Sequence, residues 1–135
     1  MSNQSTPLNE SQVKKFIPGI IWFFLVLLLI CLPASVIPPE VSLLNVTYFD
    51  KWIHASLFTV LSFLFIYPVA KLPIANKAKK STAIKIVISV CIWGLATEFI
   101  QKYFIPDRSF DIFDWLADSF GGVIAYLWCR LKYLN

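Results

Sequence analysis

Five carboxylates lie in one short stretch of this sequence, between two apolar runs. The stretch reads TEFIQKYFIPDRSFDIFDWLADSFGG and spans residues 97–122. It contains most of the eight acidic residues of the chain, namely Glu98, Asp107, Asp111, Asp114 and Asp118. Carboxylates bind divalent cations, accept hydrogen bonds from amines and transfer protons. Because ionisable groups are costly within membrane-type apolar sequence, this stretch is a candidate functional site.

The composition indicates a membrane protein. Of the 135 residues, 58% are hydrophobic and only 15% are charged, and the mean hydropathy is +0.69, whereas soluble domains carry about 25% charged residues. The polar N-terminal tail, residues 1–15, is too short to hold a soluble catalytic domain. The net charge of +4 comes from basic residues at the ends of apolar runs, where they set membrane topology, so we expect no nucleic-acid partner.

Four apolar windows are long enough to cross a bilayer as helices, since a hydrocarbon core of about 30 Å needs about 20 residues. They are residues 16–32, 52–70, 83–104 and 110–129. We therefore predict an all-α, polytopic membrane protein, in which the tail precedes one four-helix transmembrane domain over residues 16–131. The first window also has the outline of a signal peptide. Its apolar run is longer than usual and lacks an A-x-A-like cleavage site, which favours an uncleaved helix.

The distribution of lysine and arginine predicts the orientation of the four helices. Basic residues mark three regions that belong on the cytoplasmic side: the tail, the connection between the second and third windows, and the C-terminus. They are Lys14, Lys15, Lys71, Lys77, Lys79, Lys80, Arg130 and Lys132. The first connection, residues 33–49, has no lysine or arginine, and the third connection is acidic. We therefore predict a protein of the cytoplasmic (inner) membrane with both termini in the cytoplasm.

With this topology, nearly every unusual polar residue lies at the outer face of the membrane. Steps of three and four residues place the polar positions of each helix on one side of that helix. Because ionisable residues that contact lipid are costly, we expect these sides to face the interior of the bundle. The candidate functional residues are Asp50, Lys51, His54, Glu98, Gln101, Arg108, Asp111, Asp114 and Asp118.

Helix geometry also predicts the depth of two of these carboxylates. Asp118 is 12 residues before Arg130, and Glu98 is 13 residues after Lys85. These separations correspond to about 18 Å and about 20 Å along a helix axis. Both carboxylates should therefore lie roughly 10 Å below the outer edge of the hydrocarbon core, where they would form the floor of a polar pit that opens to the outside.

The rim of the predicted pit allows both functional and structural interpretations. Lys51, His54 and Arg108 are the available counter-charges for the acids. Asp111, however, could serve as the N-cap of the last helix, and Asp114 could interact with the positive end of the helix dipole.

The same residues carry a resemblance to the VanZ-like family. The family pattern begins with Asp-Lys-x-x-His, which here is DKWIH at residues 50–54. The sequence departs from the pattern at Asp118, where the family usually has asparagine, and at Ser62, where glycine is frequent. The resemblance covers residues 50–126. The further matching positions are Glu98, Gln101, Pro106, Arg108, Asp114 and Gly121.

The resemblance implies a small polytopic protein that is connected with the cell envelope. The founding member of the family is associated with resistance to teicoplanin, a glycopeptide antibiotic with a lipid tail. Our first hypothesis is therefore that the protein binds an amphiphile of the outer leaflet, either a lipid-linked cell-wall precursor or such a lipoglycopeptide. The tail would enter between helices, among membrane lipids, and the head group would occupy the pit.

Three other classes of function stay open: an enzyme, a transporter and a purely structural subunit. In a membrane-embedded enzyme, Glu98 and Asp114 could act as a general base or bind Mg²⁺. Arg108 could then stabilise a developing anion, and His54 could transfer a proton. In a small proton- or ion-coupled transporter, the carboxylates would carry the coupling ion. The sequence indicates no cofactor apart from a divalent cation that could bind, and it leaves the catalytic residues, metal binding and oligomeric state open.

Overall fold

The computed structural model describes residues 8–36 and 49–134, and nearly all of them are helical. A short 3-10 turn, Ala34–Val36, follows the second helix. No strand occurs within the two described ranges, which confirms the all-α prediction. The helices are α1 Glu10–Lys14, α2 Ile17–Ile30, α3 Phe49–Ala70, α4 Asn76–Phe104 and α5 Ile112–Tyr133.

The part of the predicted N-terminal tail that the structure describes forms the short helix α1. Asn9 Oδ1 accepts a hydrogen bond from the Gln12 backbone N–H at 2.9 Å, and Gln12 Oε1 accepts one from the Asn9 backbone N–H at 3.0 Å. This reciprocal capping box satisfies N–H groups that a helix start leaves unpaired. The rest of the tail, residues 1–7, and most of the predicted first connection, residues 37–48, lie outside the described residues.

Helix α4 is longer than the predicted window 83–104, because it begins seven residues earlier. Lys77, Lys79 and Lys80 therefore lie in its first turns and not in a loop. Lysine and alanine, which dominate this start, both have high helix propensities. At 29 residues the helix is about 43 Å long, which exceeds a hydrocarbon core of about 30 Å, so a basic end can extend beyond the core.

Three helical stretches of the described residues are long and apolar enough to cross a membrane. They are Glu10–Ile30, Phe49–Ala70 and Asn76–Phe104. By length and hydropathy, the described residues thus contain three membrane-crossing helices and not the predicted four. The fourth window does form a helix of sufficient length, α5, but Asp114 and Asp118 in its first half lower its hydropathy.

The polar and apolar side chains of α5 lie on different sides of the helix. Its two aspartates are buried, and so are Gly121, Gly122 and Ala125. Apart from Arg130 and Lys132 near its end, its large exposed side chains are apolar, as expected for a helix that contacts lipid with one side and protein with the other. These exposed residues are Ile112, Phe113, Leu116, Phe120, Val123, Ile124, Leu127, Trp128 and Leu131.

The beginnings of α3 and α5 meet the end of α4, and we call this the carboxylate end of the bundle. Lys51 at the start of α3 contacts Asp111 just before α5, and the Asp111 backbone N–H donates to Glu98 near the end of α4. Helices α3 and α5 are therefore parallel to each other and antiparallel to α4. The end of α2 also lies here, because Gln101 Nε2 donates to the Ile30 carbonyl at 3.2 Å.

The opposite end of the bundle is held together by apolar packing. One cluster of buried residues there comprises Ile66, Ala70, Ala83, Ala125, Cys129 and Leu134. A second cluster, Val26, Ile30, Phe58, Leu61 and Val90, joins α2 to α3 and α4. Within the described part of the chain, the buried carboxylate and histidine side chains all lie at the carboxylate end.

Candidate functional site

Lys51 is the centre of the outermost layer of the site. Its ammonium group lies 2.7 Å from Asp50 Oδ2, 2.5 Å from Asp111 Oδ2 and 2.8 Å from Asp114 Oδ1. The Lys51 side chain is only 17% exposed, so these ion pairs are screened less than pairs at a solvated surface. One positive charge faces three negative charges, and the layer has an excess of negative charge.

Asp111 is the N-cap that the sequence allowed, and it also pairs with Lys51. Its Oδ1 accepts a hydrogen bond from the Phe113 backbone N–H at 2.8 Å, so it is the N-cap of α5. Its Oδ2 pairs with Lys51, and the hydrogen bond from this ammonium lowers the pKa of Asp111. Its backbone N–H donates to Glu98 Oε2 at 2.9 Å. Asp111 therefore connects the three helices of the carboxylate end.

A second layer lies one helical turn deeper and contains the most buried acids. His54 Nδ1 is 2.9 Å from Asp118 Oδ1. Both Glu98 and Asp118 are fully buried, with 0% exposure. Gly94 makes room for this layer, because a Cβ atom at its position would lie 2.9 Å from the Asp118 Cβ. The two carboxylates predicted as the floor of a pit do meet, but the site is closed over them.

Arg108 and Gln101 are directed towards α2 and not towards the acids. Arg108 Nη2 lies 3.5 Å from the Leu32 carbonyl oxygen. Arg108 forms no ion pair with an acid anywhere in ranges 8–36 and 49–134, so its predicted role as a counter-charge is not seen. The carbonyl groups at the end of α2 have no partner within that helix, and they attract these donors.

The acids separate into two groups that could each hold a cation. His54, Glu98 and Asp118 form the buried group, whose nearest ligand atoms all lie within 4.8 Å of one another. The outer group comprises Asp50, Asp111 and Asp114 and meets the same distance limit, but Lys51 lies among its oxygens. The predicted pairing of Glu98 with Asp114 as Mg²⁺ ligands therefore does not describe either group.

Sequence reasoning missed an apolar groove beside the site. The groove lies between α3 and α5, has a volume of about 360 Å³ and begins at Lys51. Ala55 of α3 and Ala117 of α5 are the small residues that line it. A pattern in the sequence could have indicated the groove. Aromatic and small residues alternate beside the polar positions of both helices, as Trp52 and Ala55 do on α3 and Phe113 and Ala117 do on α5. The lining residues are Lys51, Trp52, Ala55, Phe113, Ala117 and Phe120.

The contact between Gln101 and α2 leads to a testable prediction. Gln101→Met keeps the length of the side chain but removes the donor to the Ile30 carbonyl. Gln101 is 2% exposed, so water cannot replace it as the hydrogen-bond donor to the Ile30 carbonyl oxygen. We therefore expect the free energy of unfolding to fall by about 1–3 kcal/mol. Unfolding by SDS in detergent micelles measures this change. Ser89→Ala removes a side-chain hydrogen bond at an exposed position and should change little; equal effects would contradict the prediction.

Comparison with known proteins identifies the chain as a member of one family. No curated protein and no solved structure matches it. The sequence pattern of the VanZ/LLP1 family matches residues 19–133, which is most of the chain and includes every residue of both acid groups. This match confirms the resemblance seen at Asp50–His54 and in the acidic stretch. The chain is a membrane protein that belongs to the VanZ/LLP1 family.

Proposed function

We propose that this protein binds an amphiphile of the outer leaflet, either a lipid-linked cell-wall precursor or a lipoglycopeptide such as teicoplanin. The observation that carries the proposal is the continuity between the groove and the outer acid layer. Lys51 belongs to both, since it lines the groove and pairs with three carboxylates. An acyl tail in the groove would therefore hold a head group directly over the acids.

The charges of the outer layer favour a particular kind of head group. Lys51 is already paired, and Arg108 is directed towards α2, so neither cation is free for a phosphate or carboxylate. The layer carries more negative than positive charge. A head group with an amino group, which can donate to Asp50 or Asp114, complements it best.

The same proposal requires a defined orientation in the membrane. We infer that the carboxylate end faces outwards and that both termini lie in the cytoplasm, as the distribution of lysine and arginine predicts. We also infer that α5 crosses the membrane beside α3 as a fourth span, because its exposed side chains before Arg130 are apolar and its aspartates are buried against protein. The cytoplasmic membrane is the membrane in which such an arrangement would meet cell-wall precursors.

Filling the groove tests the proposal without altering an ionisable residue. Ala117→Phe would occupy the groove, whereas Leu116→Phe places the same ring on the adjacent exposed position, which does not line it. In cells with equal amounts of each variant in the membrane, we expect wild type and Leu116→Phe to raise resistance to teicoplanin. We expect Ala117→Phe to lose most of this resistance. Vancomycin, which has no lipid tail, should be unaffected in all three strains.

Other results would count against a lipoglycopeptide ligand. Equal protection by the two phenylalanine variants would show that the groove has no part in resistance. No protection by wild type, despite normal insertion, would leave the lipid-linked precursor as the proposed ligand. Mass spectrometry of lipids that copurify with wild type, and are absent from Ala117→Phe, would then test that second ligand. If no lipid distinguishes these proteins, the proposal is wrong.

One observation favours a membrane-embedded enzyme as the second candidate function. His54 and Asp118 are paired at 2.9 Å beside Glu98, and such a group could exchange protons with a head group that enters this deeper layer. Release of inorganic phosphate from a polyprenyl diphosphate, lost in His54→Gln, would identify this activity. No observation favours a transporter, since the buried cluster at the opposite end of the bundle is apolar.

A further inference from the structure

Glu98 is a buried carboxylate without a cation. It is 0% exposed, and among the described residues its only hydrogen bond comes from the Asp111 backbone N–H to Oε2. Its other oxygen, Oε1, is buried and has no hydrogen-bond partner in that part of the chain. No lysine, arginine or histidine nitrogen lies within 4.0 Å of Glu98 in the described ranges. A carboxylate removed from water is costly unless it is paired, protonated or bound to a metal.

Asp118 has the same deficiency on the opposite side of the layer. Its Oδ1 contacts His54, but its Oδ2 is buried and has no hydrogen-bond partner within residues 8–36 and 49–134. This oxygen lies close to α4. Gly94 has no side chain, and the oxygen occupies the space next to the Gly94 backbone. Two fully buried carboxylates therefore each present an unused oxygen in one small group with His54.

We propose that His54, Glu98 and Asp118 bind one divalent cation of the first transition row. The three ligands come from three different helices, and their nearest atoms already lie within 4.8 Å of one another. A cation among them would neutralise carboxylate charge that Lys51 does not reach. The site lies beneath the outer acid layer and goes beyond the proposed amphiphile binding.

The donor set indicates the class of metal. One imidazole nitrogen and two carboxylate groups suit Zn²⁺, Mn²⁺ or Fe²⁺. Mg²⁺ and Ca²⁺ prefer sites made of oxygen ligands alone and, for Mg²⁺, several waters. Three protein ligands leave at least one coordination position for a water or a head-group oxygen. We therefore expect Zn²⁺ and Mn²⁺ to bind and Mg²⁺ to bind much more weakly.

The site can be tested with the full-length protein and metal ions alone. The protein is purified through a tag without histidine, treated with EDTA, desalted and titrated with Zn²⁺ or Mn²⁺ by calorimetry in detergent. His54 is the sole histidine of the chain, but Cys31, Cys91 and Cys129 could also bind Zn²⁺. All titrations therefore use a background in which these cysteines are alanine.

We expect one ion per chain and a loss of affinity of at least about tenfold in each ligand variant, because even outer-shell changes have effects of this size. The variants are His54→Ala, Glu98→Gln and Asp118→Asn. The last has the residue usual in the family at this position, so it provides a folded comparison if His54→Ala does not fold. Asp50→Asn, which alters only the outer group, should bind normally.

Three results would contradict the proposed metal site. The first is that the cysteine-free protein with no other change binds no metal ion, and the second is that Glu98→Gln binds the ion with unchanged affinity. The third is a loss of metal affinity in Asp50→Asn that Glu98→Gln does not share. The last result would place the ion in the outer group. Because no lipid or antibiotic is present, failure here leaves the proposed amphiphile binding untouched, and failure of the resistance experiment leaves the metal site untouched.

Discussion

Gly121→Ala is expected to prevent normal packing of α5 against α3. A Cβ atom at this position would overlap the Ala55 carbonyl oxygen and lie 2.9 Å from the Thr59 backbone nitrogen. Both contacts are with backbone, so no side chain can rotate to relieve them, and the two helices must separate. We expect the free energy of unfolding to fall by about 3 kcal/mol, at the upper end for added groups in a packed core. Unfolding by SDS in detergent micelles provides the measurement.

The adjacent glycine is a matched control. At Gly122 an added Cβ would meet its nearest neighbour, Ser62 Oγ, at 3.5 Å, which is an ordinary contact. Alanine is favoured over glycine within a helix by about 1 kcal/mol, so Gly122→Ala should be neutral or slightly stabilising. A similar loss of stability in both variants would show that Gly121 is not a site of close helix contact.

Lys51→Met is expected to have the second large effect. Methionine retains the length and most of the volume of lysine but leaves Asp50, Asp111 and Asp114 without their common cation. Asp114 is 8% exposed, so its charge cannot be fully hydrated in compensation. Removal of one partner from a buried ion pair typically costs about 3 kcal/mol or more. The expected result is a loss of this order in the free energy of unfolding.

The same substitution at an exposed ion pair is the control. It distinguishes the loss of a buried ion pair from the general effect of removing a lysine charge. Lys14 pairs with Glu10 at 2.6 Å, but the two side chains are 64% and 83% exposed. Lys14→Met should therefore change stability little, because solvent already screens that pair. In the Lys51→Met background, Asp111→Asn should recover part of the lost stability. No recovery would mean that unpaired carboxylates are not the cause.

The sequence alone determined the helical class of the fold and which polar residues of α4 and α5 lie on the buried sides of these helices. Composition indicated a helical membrane protein, and three-four spacing placed Asp114 and Asp118 on the buried side of α5, where the structure has them. Spacing also placed Glu98 and Gln101 on the buried side of α4. These features are local, since the pitch of a helix fixes which of its residues share a side.

Only the tertiary structure decided how these residues pair. Pairing depends on the axial position of one helix relative to the next, and close contacts such as that of Gly121 with Ala55 set this position. That register puts Asp114 beside Lys51 and leaves Glu98 with Asp118 and His54. Spacing within one helix carries no information about this register, because a shift of one turn along a neighbouring helix preserves every buried side but exchanges every partner.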